Sequence, residues 1–276
     1  MEFKDDEEAL KLKINQLSVI NNSRQKKKAS PVKLDILASR VANKMCLEAA
    51  ENDFTGHWNM AGEKPYHRYA FAGGDDHVSE NAYGEWSSAD YDHSGSNIGA
   101  MMKSGHESFM AERAPNDGHK QNILDKNHNF VGIGFFLSAK QFRYYEEFID
   151  RYLRFENIPE DVKTGEPTSI TVKTDGNNFI YFMIIYREKF PTALSPAQLK
   201  RKGSYEDFSN EVYLKLPAWD IARYKSGTSY RIPLTFSKEG WYYIHLYLNN
   251  KEILKATSLD TKGRSPVSGI VIKVNK

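Results

Sequence analysis

The periodicity of the apolar residues changes from helical to alternating near residue 155, and this change constrains the fold more than any other feature. Before it, apolar residues recur at the spacing of an amphipathic helix, namely Leu34, Leu37, Ala38, Val41, Met45 and Ala49. After it, segments such as Ser229–Phe236 alternate apolar and polar residues, as half-buried strands do. The sequence therefore predicts two domains of different class.

The first part combines helices with strands. Gly105–Ala114 is predicted as a helix that ends at Pro115, while Phe130–Leu137 and Phe142–Leu153 are predicted as strands. Residues 53–100 are rich in glycine, histidine and aromatic side chains and are predicted to form a long irregular region. Long ordered loops of this sort often carry functional residues. Helices plus an antiparallel sheet predict an α+β fold.

The second part is predicted to be all-β. Turn signals separate the candidate strands, which are Thr168–Thr174, Phe179–Tyr186, Glu211–Leu216, Ser229–Phe236, Trp241–Leu248, Glu252–Ala256 and Val267–Val274. Short strands at this density favour an immunoglobulin-like β-sandwich. The polar, proline-containing stretch at Asn157 marks the predicted boundary, with one domain over residues 1–155 and another over 156–276.

Charge and composition exclude several classes of partner. The formal net charge of the 276-residue chain is only +2, which does not indicate binding to nucleic acid. The short basic run from Arg24 to Lys28 is predicted as a solvated loop, and no stretch is apolar enough for a transmembrane segment. As the sequence stands it has no leader segment, which predicts a cytoplasmic protein, or a secreted or surface protein if the natural chain is longer.

Cysteine is nearly absent from the sequence. Cys46 is the single cysteine, so no intramolecular disulfide can form and the fold depends on packing. Because Cys46 lies within an apolar helical pattern, it is predicted to be a buried structural thiol rather than a nucleophile.

Histidines concentrate in the middle of the first part. Of the 8 histidines, only His245 lies outside this group, whose members are His57, His67, His77, His93, His106, His119 and His128. Imidazoles that converge in a cleft can bind zinc or copper. The spacing excludes the helical H-E-x-x-H zinc site, an EF-hand and the G-x-S-x-G nucleophile elbow. We expect His67, His77, His93 and His128 to be surface or loop residues.

Four ordered stretches resemble the CAP superfamily, which comprises cysteine-rich secretory proteins, antigen 5 and plant pathogenesis-related proteins. Gly118-His-Lys-Gln-Asn-Ile-Leu124 is similar to its Gly-His-x-x-Asn-Ile-Leu signature, and the strand Val131-Gly-Ile-Gly134 follows it. The other similar stretches are Ile14–Gln16 with Pro31–Ala38, Asp53–His57, and Val78–Asn81. The resemblance covers about residues 6–155 and is strongest to the bridge-free, bacterial SCP-like branch.

The resemblance implies an α–β–α sandwich whose cleft is lined by two histidines and two glutamates. It assigns His57, Glu80 and His119 to this cleft and favours Glu107 as the second acid. Supporting positions are Asn81, Asn122, His106 and Glu112, of which Glu112 is the other candidate for the second acid. Ser79 departs from the family pattern, which usually has glycine before the glutamate.

Two chemical interpretations of this cleft are open. His57 and His119 could bind a divalent ion, with zinc as the cofactor, and leave coordination positions for a ligand. Alternatively, each glutamate could accept a hydrogen bond from an imidazole and merely fix its position. His119 could even be an ordinary polar residue in the first turn of a helix capped by Asp117.

Three functions are compatible with the sequence. The resemblance favours a binding protein for a lipid, peptide or protein ligand, and no activated nucleophile is visible. A zinc-assisted hydrolase would use Glu80 or Glu107 as the general base. The third function is a structural module of a surface assembly, and fold analogy alone does not choose among them.

Overall fold

The computed structural model describes residues 3–159, 161–256, 258 and 260–276, which divide into two compact units. The first unit contains the described residues up to Ala72 together with Val78–Ile149 and Thr192–Tyr205. The second contains Gly73–His77, Asp150–Pro191 and the described residues from Glu206 to Lys276. Each unit thus includes a segment from the other half of the sequence. The domain boundary at residue 155 stays a prediction.

The helices and strands have the following bounds. The helices are α1 Glu7–Lys26, α2 Ile36–Glu51, α3 Pro65–Phe71, α4 Gly95–Ala111, α5 Gly118–Leu124, α6 Pro196–Leu199 and α7 Ala218–Ile221. The first strands are β1 Lys33–Leu34, β2 His77–Trp86, β3 Phe130–Leu137 and β4 Gln141–Asp150. The later strands are β5 Arg154–Asn157, β6 Asp161–Lys163, β7 Pro167–Lys173, β8 Phe179–Glu188, β9 Glu211–Pro217, β10 Lys225–Ser226, β11 Ser229–Thr235, β12 Gly240–Asn249 and β13 Ile270–Asn275.

A four-stranded sheet with helices on both faces forms the first unit. Its strand order is β1-β3-β4-β2, and β3 pairs antiparallel with β4. On one face α1, α4 and α5 pack over Val131, Ile133 and Phe148, and on the other α2 packs over Tyr145. Burial of these apolar faces, rather than helix propensity, stabilises the layers.

Two glycines of β3 allow α2 to approach the sheet closely. A Cβ atom added to Gly132 would lie 2.4 Å from the Ala38 Cβ, and one added to Gly134 would lie 2.4 Å from the Ala42 Cβ. Because β3 residues two apart share a face, both glycines meet the same helix. The Val131-Gly-Ile-Gly134 pattern therefore sets the spacing between α2 and the sheet.

Arg24 corrects the prediction of a solvated basic loop. It is fully buried and belongs to α1, which continues to Lys26. Its guanidinium donates to the backbone carbonyls of Ser30, Asp125 and His128 at 2.7, 3.0 and 3.1 Å. These hydrogen bonds join the end of α1 to the segment that follows α5.

The segment Thr192–Tyr205 packs against the rest of the first unit. The Leu194 N–H donates to the Met60 carbonyl at 2.8 Å, and Lys200 pairs with Asp53. The short helix α6 inserts Leu199 into the cluster that contains Cys46 and Tyr145, where Leu199 is only 2% exposed. Cys46 itself is fully buried, as predicted.

Two antiparallel sheets share one apolar core in the second unit. Their strand orders are β10-β11-β7-β5 and β6-β13-β12-β8-β9. Ile170 and Ile232 from the first sheet pack in the same cluster as Ile185, Ile244 and Ile272 from the second. The inward residues alternate along each strand, as in two-layer β-structures.

A buried polar cluster in the second unit surrounds His77. Its Nδ1 lies 3.1 Å from Asp150 Oδ2, and its Nε2 lies 3.0 Å from Asp207 Oδ2. Burial lowers the pKa of His77, but hydrogen bonds to these two carboxylates outweigh it and raise the pKa to about 9. His77 is therefore a buried imidazolium between two carboxylates rather than the loop residue that we predicted.

Two further predictions were wrong. The segment 53–100, predicted as irregular, contains the long strand β2, whose polar residues hide any alternation. Glu252–Ala256, predicted as a strand, has no regular structure. Among the residues that the structure describes, no helix is both long and apolar enough to span a bilayer.

We predict that Leu199→Ala destabilises the full chain by about 3 kcal/mol, since it leaves a cavity in a packed core. Urea unfolding of the full chain would measure this loss. Leu254→Ala, at a position 66% exposed, is the matched control and should change the free energy of unfolding little. Equal effects of both substitutions would contradict the docking of residues 192–205.

Candidate functional site

The loop that carries His57 follows α2 and is anchored on β4. The backbone N–H of Gly56 donates to the Tyr145 hydroxyl at 3.2 Å, and this hydroxyl donates to the Gly56 carbonyl at 2.8 Å. Arg143 Nε donates to the Phe54 carbonyl at 2.7 Å. Because Tyr145 and Arg143 are buried residues of one strand, they hold this loop against the sheet.

Glu80 connects His57 to Arg68. His57 Nδ1 lies 2.8 Å from Glu80 Oε1 and donates to it, since a carboxylate can only accept. Glu80 Oε2 accepts a close hydrogen bond from Arg68 Nη2, while Arg68 Nη1 donates to the His57 carbonyl at 2.6 Å. Both carboxylate oxygens of Glu80 are thus occupied, and Arg68 holds both the acid and the backbone of His57.

A second buried acid sets the electrostatics of this group. Glu147 on β4 lies 3.8 Å from Arg68. Burial and the charge of Glu80 raise the pKa of Glu147 well above its usual range. Burial also raises the pKa of Glu80, but Arg68 opposes this effect. We therefore take Glu147 as the neutral acid, so that Arg68 and Glu80 form a balanced ion pair.

The environment of His57 keeps its ring neutral. Burial, with a smaller effect from the Arg68 charge, lowers the pKa of His57 to about 4. With Nδ1–H donated to Glu80, the proton-free nitrogen is Nε2. His57 Nε2 has no hydrogen-bond partner within the described part of the chain.

Glu112 holds His119 in the same manner. His119 Nδ1 lies 2.5 Å from Glu112 Oε1, and the His119 backbone N–H donates to Glu112 Oε2 at 3.0 Å. The Lys120 backbone N–H donates to the same oxygen at 3.3 Å. Glu112 therefore fixes both the start of α5 and the imidazole in its first turn, as a carboxylate near a helix N-terminus does.

The two imidazoles lie side by side. Their ring centroids are 6.3 Å apart with an interplanar angle of 38°, and the His119 ring also packs on Phe109 at 4.7 Å. The side chain of His57 is 12% exposed and that of His119 is 33% exposed. The structure thus brings His57, Glu80 and His119 together, and their role in binding stays a prediction.

Glu107 does not join this group. It lies on the solvent side of α4, is 63% exposed and pairs with Lys103 at 3.8 Å. Since α4 ends at Ala111, Glu112 lies just beyond the helix, and its side chain contacts the start of α5. The second acid beside the histidines is therefore Glu112, and the assignment of Glu107 was wrong.

Asn81 and Asn122 form a supporting network. Asn81 Nδ2 donates to the His119 carbonyl at 3.2 Å, and Asn122 Nδ2 donates to Asn81 Oδ1 at 2.9 Å. Ser79, which replaces the usual glycine, donates to Asn122 Oδ1 at 2.7 Å, and His128 lies 3.0 Å from the same oxygen. The serine therefore adds a contact to α5.

His106 belongs to a separate buried network. Its Nδ1 lies 2.8 Å from Glu146 Oε1 and its Nε2 lies 2.9 Å from the Ser23 hydroxyl. Asn81 Nδ2 also donates to Glu146, at 3.1 Å. His106 thus supports the site indirectly, through Glu146 and Asn81.

Several other predictions about this region change. His67 is a buried residue of the helix α3, which was not expected, whereas His128 lies in a loop, where it is buried, and His93 is exposed as expected. Tyr66 and Tyr69 are core residues, whereas Trp86 is 62% exposed.

Sequence reasoning missed two residues of the site. Arg68 lies in α3, and its segment carries no motif that identifies a buried arginine. Tyr205 lies outside the stretch of family resemblance, yet its hydroxyl accepts from the Glu80 backbone N–H at 3.1 Å and its ring lies 5.0 Å from that of His57. Only the packing of residues 192–205 on this unit reveals it.

A metal ion in this site would depend on one imidazole nitrogen of His57 and one of His119. Within the described residues, no group of three or more histidine, cysteine, aspartate or glutamate side chains has a metal-binding arrangement. The nearby glutamates are hydrogen-bonded to the imidazoles, which suits the outer shell of a metal site. His57 and His119 could supply two ligands, and the others would come from water or a bound ligand.

Comparison with known proteins identifies the first unit. The sequence model of the cysteine-rich secretory protein family, CAP, matches residues 17–148. No curated protein matches the sequence.

Two solved structures show partial similarity. One is an extracellular protein with an SCP domain from Bacillus anthracis strain Ames, 17% identical with a TM-score of 0.37, covering 50% of this chain and 41% of that one. The chain therefore spans about two-fifths of that protein. The other is an outer surface protein from Borrelia burgdorferi, 15% identical with a TM-score of 0.41, covering 55% of this chain and 99% of that one.

The family match ends at Phe148, within β4, and includes His57, Glu80, Glu112 and His119. The helices on both faces of the sheet agree with the expected α–β–α arrangement. Residues 17–148 of this chain form a domain of the CAP family.

Proposed function

We propose that the first unit is a binding domain whose ligand contacts the Nε2 atoms of His57 and His119. The observation that carries this proposal is that two adjacent imidazoles both have Nδ1 paired with a carboxylate. Each ring then offers an acceptor nitrogen for a divalent ion or for a donor group of a lipid, peptide or protein ligand.

Zinc is the metal we propose for this position. Two imidazoles leave half of a tetrahedral zinc coordination shell for other ligands, so the ion would be exchangeable. A bound zinc ion would act as a Lewis acid toward a donor group of the ligand. The residues of this chain orient the imidazoles, and Glu80 and Glu112 keep Nδ1 protonated.

The zinc-hydrolase alternative is less well supported because the proposed general bases are unsuitable. Glu80 is only 4% exposed and both its oxygens are occupied, by His57 and Arg68. Glu107 lies on the solvent side of α4. A general base needs to reach the proton that it removes, and neither glutamate is positioned to do so.

For the second unit we propose an immunoglobulin-type sandwich that serves as a recognition or spacing module. Its strand orders support this type, since β5, β7, β11 and β10 correspond to strands A, B, E and D. The strands β8, β12 and β13 correspond to C, F and G, with β9 beside C as in variable-type domains.

Zinc binding to the 276-residue chain tests the proposed cleft. Isothermal titration calorimetry should show one saturable zinc site, and His119→Ala or His57→Ala should weaken it at least about tenfold. Glu112→Gln should weaken it about 10- to 100-fold, as loss of an outer-shell partner does. His93→Ala, at an exposed histidine of the same unit, is the control and should bind like the original chain.

The absence of saturable binding in a folded chain would contradict a joint site at His57 and His119. Equal affinity of all four variants would place the zinc elsewhere. If His57→Ala and His119→Ala changed only the free energy of unfolding, the purely structural function would be favoured instead.

We also predict that His57 titrates near pH 4, which ring-proton NMR shifts would measure. The pKa lies below the usual 6.5, so between these pH values the unfolded chain binds a proton that the folded chain does not. The contribution of His57 to stability is therefore complete above pH 6.5 and is lost as the pH falls toward 4. A midpoint above 6.5 would contradict the neutral ring.

A further inference from the structure

A second pocket on the first unit contains neither of the two histidines nor their glutamates, although Arg143 and Phe54, which line it, also help to hold the loop of His57. It has a volume of about 280 Å³ and lies among the loop 53–55, the end of β2, the start of β4 and Lys200. This volume is near the lower limit of the ~300–1,000 Å³ range of small-molecule sites. It suits one ring of a larger ligand that continues into solvent.

The charges around this pocket balance. Asp53 and Glu85 supply two carboxylates, and Arg143 and Lys200 supply two cations. Lys200 Nζ lies 2.5 Å from Asp53 Oδ2, and this hydrogen bond lowers the pKa of Asp53. The pocket therefore has no net charge to attract an anion or a cation.

Arg143 is held rigidly but keeps hydrogen-bonding capacity. Its Nη1 donates to the carbonyls of Phe142 and Glu85 at 2.8 and 3.2 Å, in addition to the bond from Nε to the loop. Its Nη2 makes only a long contact of 3.9 Å to Asp53 Oδ1. The guanidinium is thus a positioned donor whose Nη2 group has no close protein acceptor among the described residues.

Gln141 adds an acceptor to the same pocket. Its Nε2 donates to Asp53 Oδ1 at 3.0 Å, which fixes the amide. Its Oε1 is buried and has no hydrogen-bond partner in the described part of the chain. A buried acceptor without a partner costs free energy, and a turn of the amide toward the pocket, where a ligand hydroxyl would donate to it, would relieve this cost.

Trp86 supplies an apolar surface at the edge of this polar pocket. It is the last residue of β2 and is 62% exposed, more than any other tryptophan of the described structure. An indole presents a flat face on which C–H groups can pack. The combination of an exposed indole with fixed donors and acceptors is typical of sites for hydroxyl-rich rings.

We propose that this pocket binds one pyranose unit of a neutral, β-linked oligosaccharide. The C–H face of the sugar would pack on Trp86, and its hydroxyls would accept from Arg143 and donate to Gln141. A charged sugar would gain no net attraction from the two cations and two carboxylates, and an apolar ligand would leave the polar groups unpaired. β-Linked rings with equatorial hydroxyls have the flat apolar faces that this packing needs.

Calorimetry of the full chain with cellotetraose and with chitotetraose, the tetramers of β-1,4-linked glucose and N-acetylglucosamine, tests this proposal. At least one should bind saturably, and Trp86→Ala should weaken that binding at least about tenfold. Phe71→Ala, at an aromatic residue 45% exposed in the same unit, is the matched control and should bind normally. Tetragalacturonate, an anionic oligosaccharide, should bind more weakly than the neutral probes.

His119→Ala separates this proposal from the histidine cleft, because it should retain oligosaccharide binding whether or not it retains zinc. Gln141→Ala should weaken oligosaccharide binding while the chain stays folded, as judged by circular dichroism. The proposal is overturned if neither neutral tetramer binds saturably, or if Trp86→Ala binds as tightly as the Phe71→Ala control.

Discussion

The pairing of two imidazoles with two carboxylates is the interaction on which the candidate site depends. Glu80 and Glu112 each accept from Nδ1 of a histidine, at 2.8 and 2.5 Å. A carboxylate that accepts from one ring nitrogen leaves the other nitrogen available as an acceptor. The chemistry of the cleft therefore follows from the positions of the two acids as much as from those of the histidines.

Alternation along two neighbouring strands explains how the sheet supports this pairing. Successive residues of a strand point to opposite faces, so Glu80 and Asn81 on β2 serve different networks, as do Glu147 and Glu146 on β4. One network contains Arg68 and His57, and the other contains His106. Buried ion pairs of this kind contribute little net stability, but they hold the orientation of the groups that they join.

Much of the fold could be predicted from the sequence, because apolar periodicity reports directly on burial. The helix α2 and strands such as β3 and β11 were predicted for that reason, and the Gly-His-x-x-Asn-Ile-Leu stretch placed His119. The strand β2 was missed because its inward residues include polar groups that hydrogen-bond within the protein. Glu112 could not be separated from Glu107, since the choice depends on where α4 ends. Tyr205 and Leu199 reach the first unit through packing far along the chain, which no local pattern reports.

The tautomers of His57 and His119 test the central claim most directly. Long-range proton–nitrogen NMR correlations would be recorded at a pH where both rings are neutral and assigned with His57→Gln and His119→Gln. The pairing with Glu80 and Glu112 predicts that both rings are protonated on Nδ1 and unprotonated on Nε2. A proton on Nε2 of either ring would contradict this arrangement and the cleft built on it.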